Sequence, residues 1–189
     1  INNIHDLEQI AIGTYSPLQG FLTKKELESV LDKLRLPDGS IWPIPILLDV
    51  NEKDAKNILI NEEICLIDNE GVIIGTMNVD DIYSYPKKKI INKFYGTTDS
   101  NHPGVAMMSK MNSIFLGGKI NLLRPCTISS SEYQFTPRQT RRLFEEKNWT
   151  KIVGFHTRNV IHKAHEYIQK KAMKDFNCDG IFLHPVIGQ

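Results

Sequence analysis

Short apolar runs that alternate with turn residues dominate the first two thirds of the chain. Residues 42–50 (WPIPILLDV) form one such run, and residues 63–79 contain two runs on either side of the letters DNEG. The second pattern predicts a β-hairpin, because Asp, Asn and Gly suit a tight reversal between strands. Residues 113–123 (SIFLGGKINLL) are expected to form another strand pair, bent at Gly117 and Gly118. Short strands of this kind are typical of a small β-barrel or sandwich.

Helical patterns are few in this region, and the clearest one covers residues 23–34. Thr23 is placed to cap this helix and Glu26 follows three residues later, as in a capping box. The apolar positions at helical spacing are expected to face a core: Leu27, Val30, Leu31 and Leu34.

The composition changes at residues 124–135, where Pro, Thr and a Ser triplet indicate a linker. We therefore predict one domain over residues 1–128 and a second domain over residues 129–189. The second domain is expected to open with a helix over residues 136–149. Its predicted start has Thr136 as the cap, Pro137 at the first helical position and Gln139 at the capping-box position.

After the helix over residues 136–149, the sequence predicts a strand, a helix and a second strand. Residues 151–155 (KIVGF) predict a buried strand, and residues 180–187 (GIFLHPVI) predict a second strand. Between them, residues 162–176 have the period of an amphipathic helix, whose core-facing positions are expected to be Ala164, Tyr167, Ile168, Ala172 and Phe176. This order is the unit of a parallel α/β sheet.

Charge argues against some classes of partner. The net charge of +1 disfavours a dedicated nucleic-acid coat or a polybasic membrane patch. Residues 151–189 hold six Lys and Arg against three Asp and Glu, whereas residues 1–150 hold 17 against 19. A mildly positive terminal segment suits a small anionic ligand. No apolar run approaches the ~20 residues that a membrane span needs.

Cysteine usage favours an intracellular protein. Cys65, Cys126 and Cys178 are far apart and form no CxxC motif, which indicates reduced thiols rather than a disulfide framework. We expect a cytoplasmic location. The chain begins with Ile1 and has no signal-peptide pattern, so we also expect that residues preceding Ile1 are absent from the sequence.

Polar chemistry is concentrated in residues 156–165 (HTRNVIHKAH), at the predicted junction of strand and helix. Ligands bind beyond the carboxyl ends of parallel strands, and helix N-termini favour phosphate and sulfate. His162 and His165 are three apart and therefore share one helix face. Arg158 offers a planar fork of donors for an oxyanion, and Asn159 is expected to cap the helix or to contact the ligand.

The cluster holds donors and positive charge without an activated nucleophile. That combination fits nucleotidyl or phosphoryl transfer, in which positioning and charge stabilisation do most of the catalysis. A purely structural role for the two histidines stays open as an alternative. A metal site is not favoured, because the spacing is not HExxH and no third ligand is evident.

At these residues the sequence resembles the ATP sulfurylase, or sulfate adenylyltransferase, family. The hallmark of that family is Q-T-R-N-P-x-H-x-x-H at a strand-to-helix turn, and this chain has H-T-R-N-V-I-H-K-A-H. Further segments agree in order along nearly the whole chain: IAIGTYSPLQGFL (10–22), YGTTDSNHPGV (95–105), LGGKINLLR (116–124), TPRQTRRLF (136–144) and LHPVIG (183–188).

The resemblance implies an α+β and α/β fold, in which an N-terminal PUA-like β-barrel domain precedes the start of a Rossmann-like domain of the HxxH nucleotidyltransferase type. It implies that sulfate and ATP react to give adenylyl sulfate and pyrophosphate. Mg²⁺ is expected to accompany ATP, with no protein ligand assigned. The other implied partners are further copies of the chain and a fused or separate adenylylsulfate kinase. No nucleic-acid or membrane partner is expected.

The resemblance also assigns roles by position. Thr157, Arg158 and Asn159 are implied as catalytic residues, with Arg158 holding sulfate and the other two orienting the reacting groups. His162 and His165 are implied to contact the ATP phosphates together with Asn159.

Two positions depart from the family pattern. The usual Gln, a sulfate contact, is His156, and the usual Pro after Asn is Val160. An imidazole can still hydrogen-bond sulfate, so His156 stays a sulfate candidate. Loss of the proline is expected to loosen the loop.

Two other functions stay open at this point. One is another HxxH adenylyltransferase that acts on a carboxylate or a nucleotide, although Thr157, Arg158 and Asn159 together with the long N-terminal barrel favour sulfate. The other is a non-catalytic binding or regulatory module, in which a PUA-like barrel binds RNA or a truncated catalytic domain serves only for assembly. The acidic balance of residues 1–150 disfavours RNA, because nucleic-acid binders usually show a basic face.

The family has a further active-site stretch of the G-R-D-H-A type, and no such stretch occurs in these 189 residues. We therefore expect that the 189-residue chain by itself has little or no adenylyltransferase activity. A pyrophosphate-release assay on the purified chain tests this. Turnover comparable to that of a full-length enzyme would contradict the prediction.

Overall fold

The computed structural model describes residues 3–124 and 135–186, which belong to two compact units, Ile1–Gln134 and Phe135–Gln189. Most of the predicted linker, the boundary expected between residues 128 and 129, and Cys126 lie outside the described residues. That boundary therefore stays a prediction.

The first unit combines short helices with an antiparallel sheet. Its elements in chain order are α1 (Ile4–Ala11), β1 (Gly20–Phe21), α2 (Lys24–Lys33), β2 (Leu48–Val50), α3 (Glu52–Ala55), β3 (Glu63–Ile67), β4 (Ile73–Asn78), β5 (Asp81–Ser84), α4 (Lys87–Tyr95), α5 (Pro103–Lys110) and β6 (Ile114–Leu122).

Strand β6 organises this sheet. Its first half pairs with β2 and β5, and its second half pairs with β1 and β4. The prediction of a strand pair over residues 113–123 was wrong, because β6 runs through Gly117 and Gly118 without reversing. The two glycines permit close approach of other backbone instead. A Cβ on Gly118 would lie 2.0 Å from the carbonyl oxygen of Asn78.

The turn and capping motifs in the sequence of the first unit correctly predicted a hairpin and the start of a helix. The hairpin predicted over residues 63–79 is confirmed, since β3 and β4 pair antiparallel. Helix α2 begins with the predicted capping box of Thr23 and Glu26. Leu34 does not face the core as expected, because it ends α2 in the left-handed conformation and is 57% exposed.

The expectation of few helices was also wrong. The helices that the sequence pattern missed, α1, α3, α4 and α5, are each four to nine residues long. A segment of that length offers too few turns for a helical period to stand out from the sequence.

The second unit has the predicted strand–helix–strand order. Its described elements are α6 (Pro137–Glu146), β7 (Ile152–Thr157), α7 (Lys163–Asp175) and β8 (Gly180–Pro185). Strands β7 and β8 pair in parallel from Ile152 opposite Gly180 to Thr157 opposite Pro185. Helix α6 begins with the predicted box of Thr136 and Gln139 and with a proline in its first turn.

The predicted core face of α7 was wrong at every position except Ala172. Tyr167, Ile168 and Phe176 are 67%, 54% and 68% exposed, whereas Gln169 is only 7% exposed. The face of α7 that points inward consists of His165, Gln169, Ala172 and Met173. Gln169 lies four residues after His165 and three and four residues before the other two, which places all of them on one side of the helix. Strand β7, expected to be buried, alternates between half-buried and exposed positions, and its only described partner strand is β8.

Asp179 holds the beginning of β7 against the end of the α7–β8 connection. Its carboxylate accepts hydrogen bonds from the backbone N–H groups of Lys151 (2.8 Å) and Thr150 (2.7 Å), and from the Thr150 hydroxyl (3.0 Å). These hydrogen bonds lower the pKa of Asp179, and the bond from the Lys151 N–H group has the largest effect. Their contribution to the free energy of unfolding is present near neutral pH and is lost as the pH falls through that lowered pKa.

No helix among residues 3–124 and 135–186 combines the length and the apolar character needed to cross a bilayer.

Gly118 gives a direct test of the β6 arrangement. We expect Gly118→Ala to lower the free energy of unfolding by about 3 kcal/mol or more, because it adds a steric clash to a backbone with φ of 150°. The exposed neighbour Lys119 provides the control, and Lys119→Ala is expected to stay within about 0.5 kcal/mol of the native chain. Urea unfolding followed by circular dichroism measures both. Equal stability of the two variants would contradict this account of β6.

Candidate functional site

The candidate residues lie where β7 ends and α7 begins. Strand β7 continues through His156 and Thr157, two residues beyond its predicted end. Helix α7 begins at Lys163, and His162 is its cap. A strand end and a helix N-terminus thus flank residues 158–162, and helix N-termini present free N–H groups to anions.

Thr157 shapes the turn that carries Arg158 and Asn159. Its hydroxyl oxygen accepts from the backbone N–H of Asn159 (3.0 Å), and its hydroxyl group donates to the carbonyl oxygen of Asn159 (3.2 Å). The side chains of Arg158 and Asn159 are exposed. Within the described part of the chain, no hydrogen bond or ion pair is formed by the Arg158 guanidinium, which leaves its donors available to a ligand.

His162 takes the capping role that the sequence had offered to Asn159. Its Nδ1 accepts from the backbone N–H of Ala164 at 3.3 Å. In the neutral ring this bond leaves the proton on Nε2, so His162 presents an N–H donor away from its cap.

The rings of His162 and His165 are stacked, with centroids 3.9 Å apart and planes inclined by 26°. The predicted common face is therefore present in the structure. The His165 ring also meets the Phe155 ring edge-on at 5.4 Å, which places it against β7. His165 is half-buried, whereas His162 is exposed.

His184 is a neighbour of the site that sequence reasoning missed. The parallel register sets it opposite His156, and the two Nδ1 atoms lie 2.9 Å apart. The rings are 5.0 Å apart between centroids. A hydrogen bond at this distance needs one ring to donate and the other to accept. The sequence signal was that His156 directly follows the strand predicted over residues 151–155, while His184 lies within the strand predicted over residues 180–187 of the same strand–helix–strand unit.

Positive charge around the turn is not neutralised locally. No acidic residue occurs between Gly154 and His165. The next acid, Glu166, forms an ion pair with Lys170, and the hydrogen bond between them lowers the pKa of Glu166. The arrangement therefore supplies donors and cationic character to an anion, and it has no carboxylate poised as a base.

A protein metal site has no support among the described residues. No group of three or more His, Cys, Asp or Glu in residues 3–124 and 135–186 is arranged to hold a metal ion.

Comparison with known families divides the chain between residues 125 and 131, close to the boundary between the two compact units. Residues 2–125 match the family described as PUA-like domain, and residues 131–189 match the family described as ATP-sulfurylase. The chain belongs to the PUA-like domain family in its first part and to the ATP-sulfurylase family in its second. The expected order of a PUA-like part followed by an ATP-sulfurylase part is thereby confirmed.

Relatives of the chain are named sulfate adenylyltransferase, or carry that activity in the name of a bifunctional protein. A sulfate adenylyltransferase from Pyrococcus abyssi is 44% identical over 184 residues, which are 97% of this chain and 47% of that protein. One from a Synechococcus species is 41% identical over 97% of this chain and 46% of its own length. A probable bifunctional SAT/APS kinase from Sorangium cellulosum is 39% identical over 97% of this chain and 31% of its own length. The chain thus spans about half the length of the first two relatives.

A solved structure shows the same fold. The hexameric APS kinase from Thiobacillus denitrificans aligns with 98% of this chain at a TM-score of 0.69 and 23% identity, covering 33% of that protein. At this level of identity the likeness concerns the fold alone.

Proposed function

We propose that this chain supplies the sulfate-binding and nucleotide-phosphate-binding turn of a sulfate adenylyltransferase. The observation that carries the proposal is the Arg158 turn at the end of β7, followed directly by the stacked rings of His162 and His165 at the start of α7. The names of the relatives support sulfate as the acceptor. Because the chain spans about half of the length of these relatives, we also propose, by analogy with them, that the complete protein catalyses the whole reaction.

In the proposed reaction an oxygen of sulfate attacks the α-phosphorus of ATP in line. A new bond forms between that oxygen and phosphorus while the bond from the α-phosphorus to the pyrophosphate oxygen breaks. The displacement needs no enzyme nucleophile, which agrees with the absence of acidic residues from the Gly154–His165 stretch. Mg²⁺ enters with ATP as part of the substrate, where it offsets phosphate charge.

Each side chain has a proposed task. The Arg158 guanidinium holds sulfate through paired hydrogen bonds, and Thr157 and Asn159 orient the reacting groups through the turn that they form. Stacked His162 and His165 donate to the ATP phosphates and stabilise the charge that develops on pyrophosphate. His156, held beside His184, provides a further donor to sulfate.

We propose further that the protein acts in the cytoplasm as a homo-oligomer with an adenylylsulfate kinase, either fused or separate. The name of the bifunctional Sorangium relative supports the kinase association. The free thiols of Cys65 and Cys178 agree with a reducing compartment.

Replacing Arg158 tests the sulfate role. In the complete encoded polypeptide that carries this sequence, we expect Arg158→Lys to lower kcat/KM for sulfate roughly 10- to 100-fold, because an ammonium group cannot make the bidentate contact. Pyrophosphate release at varied sulfate concentration measures the effect.

Arg142→Lys is the matched control, because Arg142 is an exposed arginine that pairs with Glu146 on the surface of α6. It should leave kcat/KM unchanged. An unchanged kcat/KM in Arg158→Lys, or an unmodified polypeptide that releases pyrophosphate without requiring sulfate, would refute the proposal.

His156 predicts a pH dependence. A protonated imidazole binds sulfate better than a neutral one, so we expect KM for sulfate to rise about three- to tenfold between pH 6 and pH 8.5. His156→Gln should flatten this profile, because an amide stays neutral. A flat profile in the native protein would count against a sulfate contact by His156.

A further inference from the structure

His184 has no role of its own in the proposed site, although it contacts a residue that does. Its Nδ1 lies 2.9 Å from Nδ1 of His156, which is an ordinary hydrogen-bond distance. Within residues 3–124 and 135–186, this is the one side-chain hydrogen bond that either ring makes. The contact therefore links the ring of His156 to the neighbouring strand β8.

The fold brings the two rings together through the register of the strands. His156 and His184 are directly paired positions of the parallel strands β7 and β8. The Phe182 ring stacks with the His184 ring, with centroids 5.9 Å apart and planes inclined by 23°. Because side chains two apart on a strand share one face of the sheet, Phe182 and His184 lie on the same side of β8. The imidazole of His184 is therefore contacted by Phe182 and hydrogen-bonded to His156.

A hydrogen bond between two Nδ1 atoms requires opposite tautomers of the two neutral rings. The donating ring carries its proton on Nδ1, and its bare Nε2 can then only accept. The accepting ring carries its proton on Nε2 and can donate there. The neutral pair thus has two arrangements, and they differ in whether Nε2 of His156 offers a donor or a lone pair.

The ligand selects one of these arrangements, and this step rests on the proposed function. Sulfate near neutral pH is fully ionised, so it only accepts hydrogen bonds. A lone pair on Nε2 of His156 would repel sulfate, whereas an Nε2–H group would bind it. We propose that His184 donates its Nδ1–H group to Nδ1 of His156. This bond makes His184 a positioning residue that holds His156 in the Nε2–H tautomer, with its donor free for sulfate.

Nuclear magnetic resonance of the ¹⁵N-labelled 189-residue chain in sodium sulfate tests the inference directly. Long-range ¹H–¹⁵N correlations of histidine rings report which nitrogen carries the proton. At a pH where the rings are neutral, we expect His156 to be protonated on Nε2 and His184 to be protonated on Nδ1. A His156 ring that carries its proton on Nδ1, or two rings with the same tautomer, would overturn the inference.

Two variants of equal size sharpen the test. His184→Asn should keep His156 in the Nε2–H form, because the amide nitrogen of asparagine can still donate to Nδ1 of His156. His184→Asp should move the His156 proton to Nδ1, because a carboxylate accepts and cannot donate. His102 is the internal control, since its Nδ1 accepts from the Val105 N–H group and its tautomer should stay constant. Retention of the Nε2–H form of His156 in His184→Asp would overturn the inference.

The kinetic consequence is measured on the complete encoded polypeptide that carries this sequence. We expect His184→Leu to lower kcat/KM for sulfate about five- to tenfold, because His156 then loses the bond that directs its donor toward the anion. KM for ATP should stay the same, and His184→Asn should keep kcat/KM for sulfate within about twofold of the native value. His5→Leu is the matched control at an exposed histidine of the first unit, and it should leave kcat/KM unchanged.

The two measurements distinguish this inference from the proposed function. If the tautomers behave as expected but the unmodified polypeptide releases pyrophosphate without requiring sulfate, the positioning role of His184 stands and the proposed function fails. If the polypeptide requires sulfate, while His184→Leu retains the native kcat/KM and His184→Asp retains the native His156 tautomer, the positioning role fails and the proposed function stands.

Discussion

The parallel pairing of β7 with β8 is the constraint on which the candidate site depends. Parallel neighbours cannot be joined by a tight turn, so the chain must cross over through α7 and return to the same edge. That crossover brings the start of α7 next to the end of β7, and the register sets His156 opposite His184 across 28 residues of sequence. Asp179 contributes at the other end of the strands, where its carboxylate binds the first residues leading into β7.

A different constraint shapes the first unit. Strand β6 is shared by four partner strands, and this sharing requires backbone to approach backbone more closely than a side chain allows. Gly117 and Gly118 meet that requirement, the first against Thr23 and the second against Asn78. In the second unit Gly180 makes room for a side chain instead, since an added Cβ would lie 2.3 Å from the Trp149 ring.

The chemistry of the candidate site agrees with the match of residues 131–189 to the ATP-sulfurylase family. Donors and cationic groups are present at the strand–helix turn, and the next acid along the chain, Glu166, is engaged with Lys170. In the proposed function this turn holds and orients two anions, and one turn does not enclose a reaction. The chain covers 47% of the Pyrococcus relative, which is consistent with the proposal that the turn is one part of a larger active site.

The sequence by itself determined the features that depend on neighbours within about four residues. The capping boxes at Thr23 and Thr136, the hairpin of β3 and β4, and the common face of His162 and His165 follow from short-range geometry, and each is present as predicted. The roles of the site residues toward substrate stay predictions.

The tertiary structure decided which surfaces meet. It made β6 one strand rather than two, and it buried Gln169 while leaving Ile168 exposed. It also brought His184 to His156. These outcomes depend on the register and packing of residues far apart in the chain, because an α-helix can turn several apolar or polar stripes inward and only its contact with the strands selects one.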